Sequence, residues 1–302
     1  MDLTFLGTGG SVPTTKRNTV SMALRPGPEV LLFDCGEGTQ RQLMASTVSF
    51  MRISRIFISH QHGDHFLGLP GLVQSMNFYG RTGPLDIYGP QGTGELVSSI
   101  LRLGVFDLKY TVNGHDLAPG DRVVGDGYAV EAFRAEHPLP ALGYAFQEDD
   151  RPGRFDPQRA LALGVREGPD FSRLVRGESV VADGRTVEPW MVMGPPRRGF
   201  RLVYSGDTAP CEELRRAATG ADVLVHEATV ASDLEAKARE FGHSTARDAA
   251  LLAREAGVGT LYLVHISGRY DDAAPLLEEA SGIFPNTVVP NDLDSFILRP
   301  DP

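Results

Sequence analysis

The chain has 302 residues, 41% of them hydrophobic, and a formal net charge of −10. That length and apolar content support a large buried core in one or two domains, and the acidic balance argues against a generally basic nucleic-acid coat while leaving room for a local basic patch. No apolar run reaches the roughly 18 residues of a membrane span, residues 1–4 enter a strand pattern without a secretory signal, and Cys35 and Cys211 form no CxxC pair, which fits a reduced, cytoplasmic protein.

In chain order, short apolar runs rich in β-branched and aromatic residues predict strands, and the segments between them carry helical patterns. A strand over 3–6 opens the chain, and a second over 30–33 runs into Asp34-Cys35-Gly36-Glu37-Gly38-Thr39-Gln40. A third over 56–59 runs into His60-Gln61-His62-Gly63-Asp64-His65, and a helix over 66–78 follows. Next come a strand over 85–88, a helix over 91–103, and His115 in a loop expected to be exposed. Strands over 128–133 and 143–146 flank His137. After the arginine-bearing segment 151–185, a strand over 202–204 ends in Ser205-Gly206-Asp207-Thr208, with a helix over 210–218 behind it. A strand over 223–225 leads to His226-Glu227-Ala228-Thr229, and His243-Ser244-Thr245 starts a helix over 244–256 with a Thr-x-x-Asp cap. A strand over 261–264 ends at His265, followed by a helix over 273–281 and a last strand over 295–298. Many strands in both halves with helices between them suggest an α/β sandwich, sheets inside and helices outside.

The run from His60 to His65 is the most informative stretch. It gathers three imidazoles and a carboxylate within six residues, donors that suit zinc and also manganese or iron. One loop does not close two metal shells, so further ligands are expected at strand ends, where sites gather on one edge of α/β sheets. His137, Asp207 and His265 occupy such places.

The HxHxDH loop, the later histidine, the Gly-Asp-Thr turn and the last histidine resemble the metallo-β-lactamase superfamily. Phe5-Leu6-Gly7-Thr8-Gly9, the Asp34 turn, residues 59–69, His226-Glu227-Ala228-Thr229 and His243-Ser244-Thr245 resemble one branch of it, the ribonuclease Z family of tRNA 3′-processing endonucleases, over nearly the whole chain. The resemblance implies an αββα sandwich, a single domain over 1–302 with a flexible tRNA-binding arm inserted at 151–185. It implies two Zn²⁺ per chain, with Mn²⁺ or Fe²⁺ as substitutes: His60, His62 and His137 on one, Asp64, His65 and His265 on the other, and Asp207 between them. It further implies Asp64 as general base, His243 as the acid that protonates the ribose 3′ oxygen, and Glu227 orienting His243. Asp34 is expected to order the ligand loop. The implied substrate is precursor tRNA, cut to leave a 3′-hydroxyl on the tRNA and a 5′-phosphate on the trailer, by a cytoplasmic homodimer.

Segment 151–185 holds seven arginines, no lysine and five acids, locally about +2 in an acidic chain. Arg151, Arg154, Arg159, Arg166, Arg173 and Arg176 are candidates for phosphate contacts. One departure from the family pattern Pro-x-Lys-x-Arg-Asn stands at Pro13-Thr14-Thr15-Lys16-Arg17-Asn18, where the lysine comes one position late. It bears on how this loop receives the tRNA 3′ end. Two rival readings are a small-molecule hydrolase on the same fold, such as a phosphodiesterase, arylsulfatase or lactonase, and a non-catalytic metal- or RNA-binding protein.

Overall fold

Residues 1–299 are described by a computed structural model. Two seven-stranded sheets carry the fold. The first runs Ser295–Ile297, Asp2–Gly7, Ser21–Arg25, Val30–Phe33, Ile53–Phe57, Leu85–Gly89 and Val112–Asp116. The second runs Thr287–Val288, Thr260–Val264, Val223–Glu227, Arg201–Tyr204, Leu142–Glu148, Tyr128–Arg134 and Arg122–Val124. Val30–Phe33, Ile53–Phe57 and Leu85–Gly89 are parallel in the first, and Arg201–Tyr204, Val223–Glu227 and Thr260–Val264 in the second. Their carboxyl ends therefore gather on one edge of each sheet.

Aromatic rings join the two sheets. Phe33 and Phe57 of the first meet Tyr144 of the second at centroid distances of 6.1 and 5.3 Å, Phe33 meets Tyr204 at 6.0 Å, and Phe5 meets Tyr262 at 5.3 Å. The buried phenols find partners: Tyr144 donates to the Ile58 carbonyl at 2.6 Å and Tyr204 to Asp34 Oδ2 at 2.5 Å. On the outer face of the first sheet Leu32, Ile56 and Ile58 pack with Leu72, Val73, Met76 and Val97 of the helices Leu69–Phe78 and Thr93–Ile100. On the outer face of the second, Val203, Leu224 and Leu261 pack with Leu214, Ala249, Ala253 and Leu276 of three more helices. The layers are helix, sheet, sheet, helix.

All ten expected strands fall on observed ones, with ends shifted by a few residues. The helix expected over 66–78 is instead two, Gly63–Phe66 and Leu69–Phe78. The break falls at Gly68, whose amide donates to the Cys35 carbonyl at 2.9 Å and where an added Cβ would lie 2.2 Å from the Gly36 carbonyl oxygen. His115 is not in an exposed loop. It sits on the strand Val112–Asp116, bonded to Asp86 at 2.9 Å and stacked on Tyr88.

Residues Glu148–Phe200 form a compact unit separate from the remainder, wider than the expected 151–185. Its outgoing and returning chains pair, with Arg151 and Arg197 exchanging backbone hydrogen bonds of 2.8 and 2.9 Å. The segment reads from sequence as lacking apolar periodicity, yet it has its own small core of Ala160, Val165, Leu174, Val180, Val187 and Val192, with Phe155 and Phe171 against it. Among the described residues no helix is long and apolar enough to cross a membrane.

Candidate metal centre

Strand ends deliver the expected ligands to one place. His60 and His62 follow Ile53–Phe57, His137 follows Tyr128–Arg134, Asp207 follows Arg201–Tyr204, and His265 follows Thr260–Val264. Asp64 and His65 lie on the short helix Gly63–Phe66. Four groups of potential ligand atoms result: His60, His62 and His137; Asp64, His65 and His265; His60, His65 and Asp207; and Asp207, His243 and His265. All seven residues predicted as ligands therefore meet, and Asp207 stands where both sets reach it.

The atoms have the spacing a metal asks for. His62 Nδ1 lies 2.8 Å from His60 Nε2 and 3.3 Å from His137 Nε2. Nitrogen ligands at about 2.0–2.1 Å in a tetrahedral shell are roughly 3.3 Å apart. Protons alone do not serve three converging ring nitrogens, and His65 Nε2 is buried without a hydrogen-bond partner. That nitrogen is 3.3 Å from Asp207 Oδ2 and 3.5 Å from Asp64 Oδ2, and His265 Nε2 is 3.2 Å from each of the same two oxygens. This donor set fits a pair of divalent cations.

The far side of each ring is held. Asp34, fully buried and in the left-handed region at φ 55°, which short polar side chains tolerate, ties the loop together. Its carboxylate accepts from His65 Nδ1 at 2.8 Å, the Ser59 amide at 2.7 Å, the Ser59 hydroxyl at 2.8 Å and the Tyr204 hydroxyl. His137 Nδ1 donates to the Gly242 carbonyl at 3.1 Å. Gly10 lies against His265, where an added Cβ would come within 2.5 Å of the ring. The Ser11 amide donates to Asp64 Oδ2 at 2.7 Å.

Charge in the cluster follows from these contacts. Burial, with neighbouring imidazoles, pushes His60 well below its usual pKa, so its ring is neutral and ready to coordinate. His65 is buried as well, but Asp207 and Asp34 outweigh burial and raise its pKa well above the usual value. Burial opposes ionisation of Asp64 and Asp207, yet His265 and His65 hold both carboxyls well below the usual range.

His243 stands beside the cluster. Its Nδ1 bonds Glu227 Oε1 at 2.8 Å and lies 3.9 Å from Asp207 Oδ2. Its Nδ1 is thus engaged by Glu227, while His243 also stands with Asp207 and His265 in a group able to hold a metal. Burial lowers its proton affinity, but the hydrogen bond and charge of Glu227 outweigh burial and raise its pKa to about 9. Glu227 is fixed by the Thr208 and Thr229 amides, each at 3.1 Å, and by the Thr229 hydroxyl at 2.7 Å. A cavity of about 460 Å³ lined by Ser11, His62, Asp64, Asp207, His243 and His265 opens onto these groups.

Ser11 and Gly242 stand outside the motifs singled out from sequence, and Ser59 and Thr229 lie within them without a role of their own, since all four act through backbone groups or small hydroxyls that no spacing rule flags. Arg17 turns inward to Thr8 and the Pro290 carbonyl, half-buried, while Lys16 stays exposed and reaches the Asp271 carbonyl at 2.9 Å.

A beta-lactamase superfamily domain model matches residues 175–266, and a model for the anti-Pycsar protein Apyc1 matches residues 1–140. The ribonuclease Z of Methanosarcina acetivorans is 51% identical over 292 residues, 96% of this chain and 96% of that protein. The chain belongs to the ribonuclease Z family. The family's Methanothermobacter thermautotrophicus member is 49% identical over 97% of this chain and 95% of its own length. Among solved structures, the short form of human tRNase Z has a TM-score of 0.70 at 27% identity, covering 99% of this chain and all of that one. The metallo-β-lactamase fold expected from the resemblance is the fold of this ribonuclease Z family member.

Proposed function

We propose that this protein is a metal-dependent endoribonuclease that removes the 3′ trailer from precursor tRNA, leaving a 3′-hydroxyl on the tRNA and a 5′-phosphate on the trailer. Its near-full-length likeness to ribonuclease Z proteins supports the substrate. The observation that carries the chemistry is His243, set by Glu227 beside a seven-residue ligand cluster.

His60, His62 and His137 would hold one zinc ion, Asp64, His65 and His265 the other, and Asp207 would touch both. Such cations, when bound, neutralise phosphoryl charge and lower the pKa of adjacent water. The remaining work falls to side chains. Asp64, tied by Ser11, stays ionised and, as general base, takes the proton of the attacking water. The leaving ribose oxygen is a poor leaving group unless protonated, and His243 supplies that proton. Glu227 balances the imidazolium and keeps Nδ1 engaged, so Nε2 is the nitrogen free to act.

The unit Glu148–Phe200 would grip tRNA. Arg154, Arg159 and Arg166 make no ion pair among the described residues, whereas Arg151 pairs with Glu148, Arg173 with Asp170 and Glu178, and Arg176 with Glu178. The second set must exchange partners to meet phosphate, a small cost for exposed pairs. Zinc as the resident metal and a homodimeric assembly belong to the same reading.

The test compares substrates. The zinc-loaded protein is expected to cleave a trailer-bearing tRNA with kcat/KM at least a thousandfold above that for bis(p-nitrophenyl) phosphate. The reverse preference would make it a small-molecule phosphodiesterase.

A further inference from the structure

The hydroxyl of Thr229 lies between two parts of the site that are otherwise separate. It is 2.7 Å from Glu227 Oε2 and 2.9 Å from His265 Nδ1. A threonine hydroxyl has one proton to give and two lone pairs to receive with. An ionised carboxylate only accepts, so the proton goes to Glu227. Toward His265 the hydroxyl is then left with lone pairs alone. His265 Nδ1 must carry the hydrogen of that bond, and the lone pair of the neutral ring falls on Nε2, the atom 3.2 Å from both Asp64 and Asp207.

The first ligand set repeats the construction. The Ser59 hydroxyl donates to Asp34 Oδ2 at 2.8 Å and lies 3.1 Å from His60 Nδ1. By the same count of protons, it accepts from that ring and leaves His60 Nε2 facing the cluster. In both places a buried carboxylate claims the single proton of a hydroxyl, and the hydroxyl then dictates which histidine nitrogen is available.

We propose that Thr229 is a positioning residue that fixes the metal-binding tautomer of His265 and, because it shares Glu227 with His243, couples the proton-donating pair to one metal subsite. The inference rests on the reading of His265 as a ligand. His265 stands in the left-handed region at φ 59° with its ring against Gly10, and the Thr229 hydroxyl is the hydrogen-bond partner at its Nδ1. Glu227 touches no predicted ligand, yet its charge is what directs the Thr229 proton. Removing that charge should weaken the same subsite.

The experiment is a titration of metal-stripped protein with Zn²⁺ in competition with a chromophoric chelator, which needs no RNA substrate. Outer partners of ligating histidines typically account for about ten- to hundredfold in metal affinity. Thr229→Val is expected to weaken one of two bound ions by about that factor and leave the other unchanged, Thr229→Ser to restore it to within about threefold, and Glu227→Gln to weaken the same ion. Thermal unfolding of the stripped protein checks that the variants fold; if Thr229→Val does not, Thr229→Ala carries the same expectation. His265→Ala, run beside them, should lose that ion. Wild-type affinity at both sites in Thr229→Val, with loss in His265→Ala, overturns the role of Thr229 alone. Retention of both ions in His265→Ala overturns the ligand reading and the inference with it.

Discussion

Four histidine rings of the cluster are each backed by an oxygen that takes their Nδ1 hydrogen: Asp34 behind His65, Ser59 behind His60, the Gly242 carbonyl behind His137 and Thr229 behind His265. His62 is the exception and turns Nδ1 inward. The ligand types were legible in sequence because all seven donors are histidine or aspartate at strand ends or on one contiguous loop. Of their partners Asp34 was legible and the others were not, since a serine, a threonine and a backbone carbonyl look ordinary until the fold brings them behind a ring. The division between acid and ligands predicts different losses. His243→Ala should lower kcat by roughly 10²–10⁴ while metal content stays at the wild-type level; equal loss of metal would put His243 among the ligands. Asp207→Ala should strip at least one ion, because both ligand sets converge on its carboxylate. The pH profile follows from the raised pKa of His243, whose acid form exists below that value. Activity should fall as pH rises toward about 9, and at saturating metal Glu227→Gln should move this alkaline limb to lower pH. An unmoved limb would detach Glu227 from the acid.

At the scale of elements, the helix Ala246–Ala256 places His243 through its cap. Thr245 accepts from the Asp248 amide at 3.1 Å, and Asp248 answers on the Thr245 amide at 2.8 Å. Arg239 adds an ion pair to Asp248 at 2.7 Å and donates to the His243 carbonyl at 3.1 Å. Burial opposes the charge on Asp248, but the hydrogen bonds from Arg239 and Thr245 keep its carboxyl below the usual 3.8. A depressed carboxyl stabilises the fold above its unfolded pKa and loses that contribution as pH falls through the folded one. Asp248→Ala should therefore cost about 1 kcal/mol at neutral pH, with the difference from wild type shrinking in acid; denaturant melts at both pH values check it. This cap was readable as Thr-x-x-Asp before a helix. The strand Val112–Asp116 was not, because its sequence, Val-Asn-Gly-His-Asp, is polar and only half-buried at a sheet edge. The break near Gly68 escaped as well, since the approach of Gly36 that requires it comes from a segment far along the chain.

At the scale of the whole molecule, the sandwich was legible because each core strand is locally apolar and each is bounded by turn residues. The unit Glu148–Phe200 was less so. Its core is drawn from short helices and a two-stranded hairpin, each too brief to show a period. Its paired ends allow a clean excision, since the Gly194 amide donates to the Arg154 carbonyl at 2.8 Å. Replacing 155–193 with a short glycine-serine link should abolish most cleavage of precursor tRNA and spare hydrolysis of a small phosphodiester. Undiminished tRNA cleavage would remove this unit from substrate binding. The central claim is that water attacks the phosphorus while the ribose 3′ oxygen leaves with a proton from His243. Mapping the cut in a trailer-bearing tRNA and identifying both new ends tests it most directly. The account predicts a single cut beside the discriminator nucleotide, with a 3′-hydroxyl on the tRNA and a 5′-phosphate on the trailer. A 2′,3′-cyclic phosphate on the tRNA, with a 5′-hydroxyl on the trailer, would mean attack by the ribose 2′-hydroxyl and would contradict it.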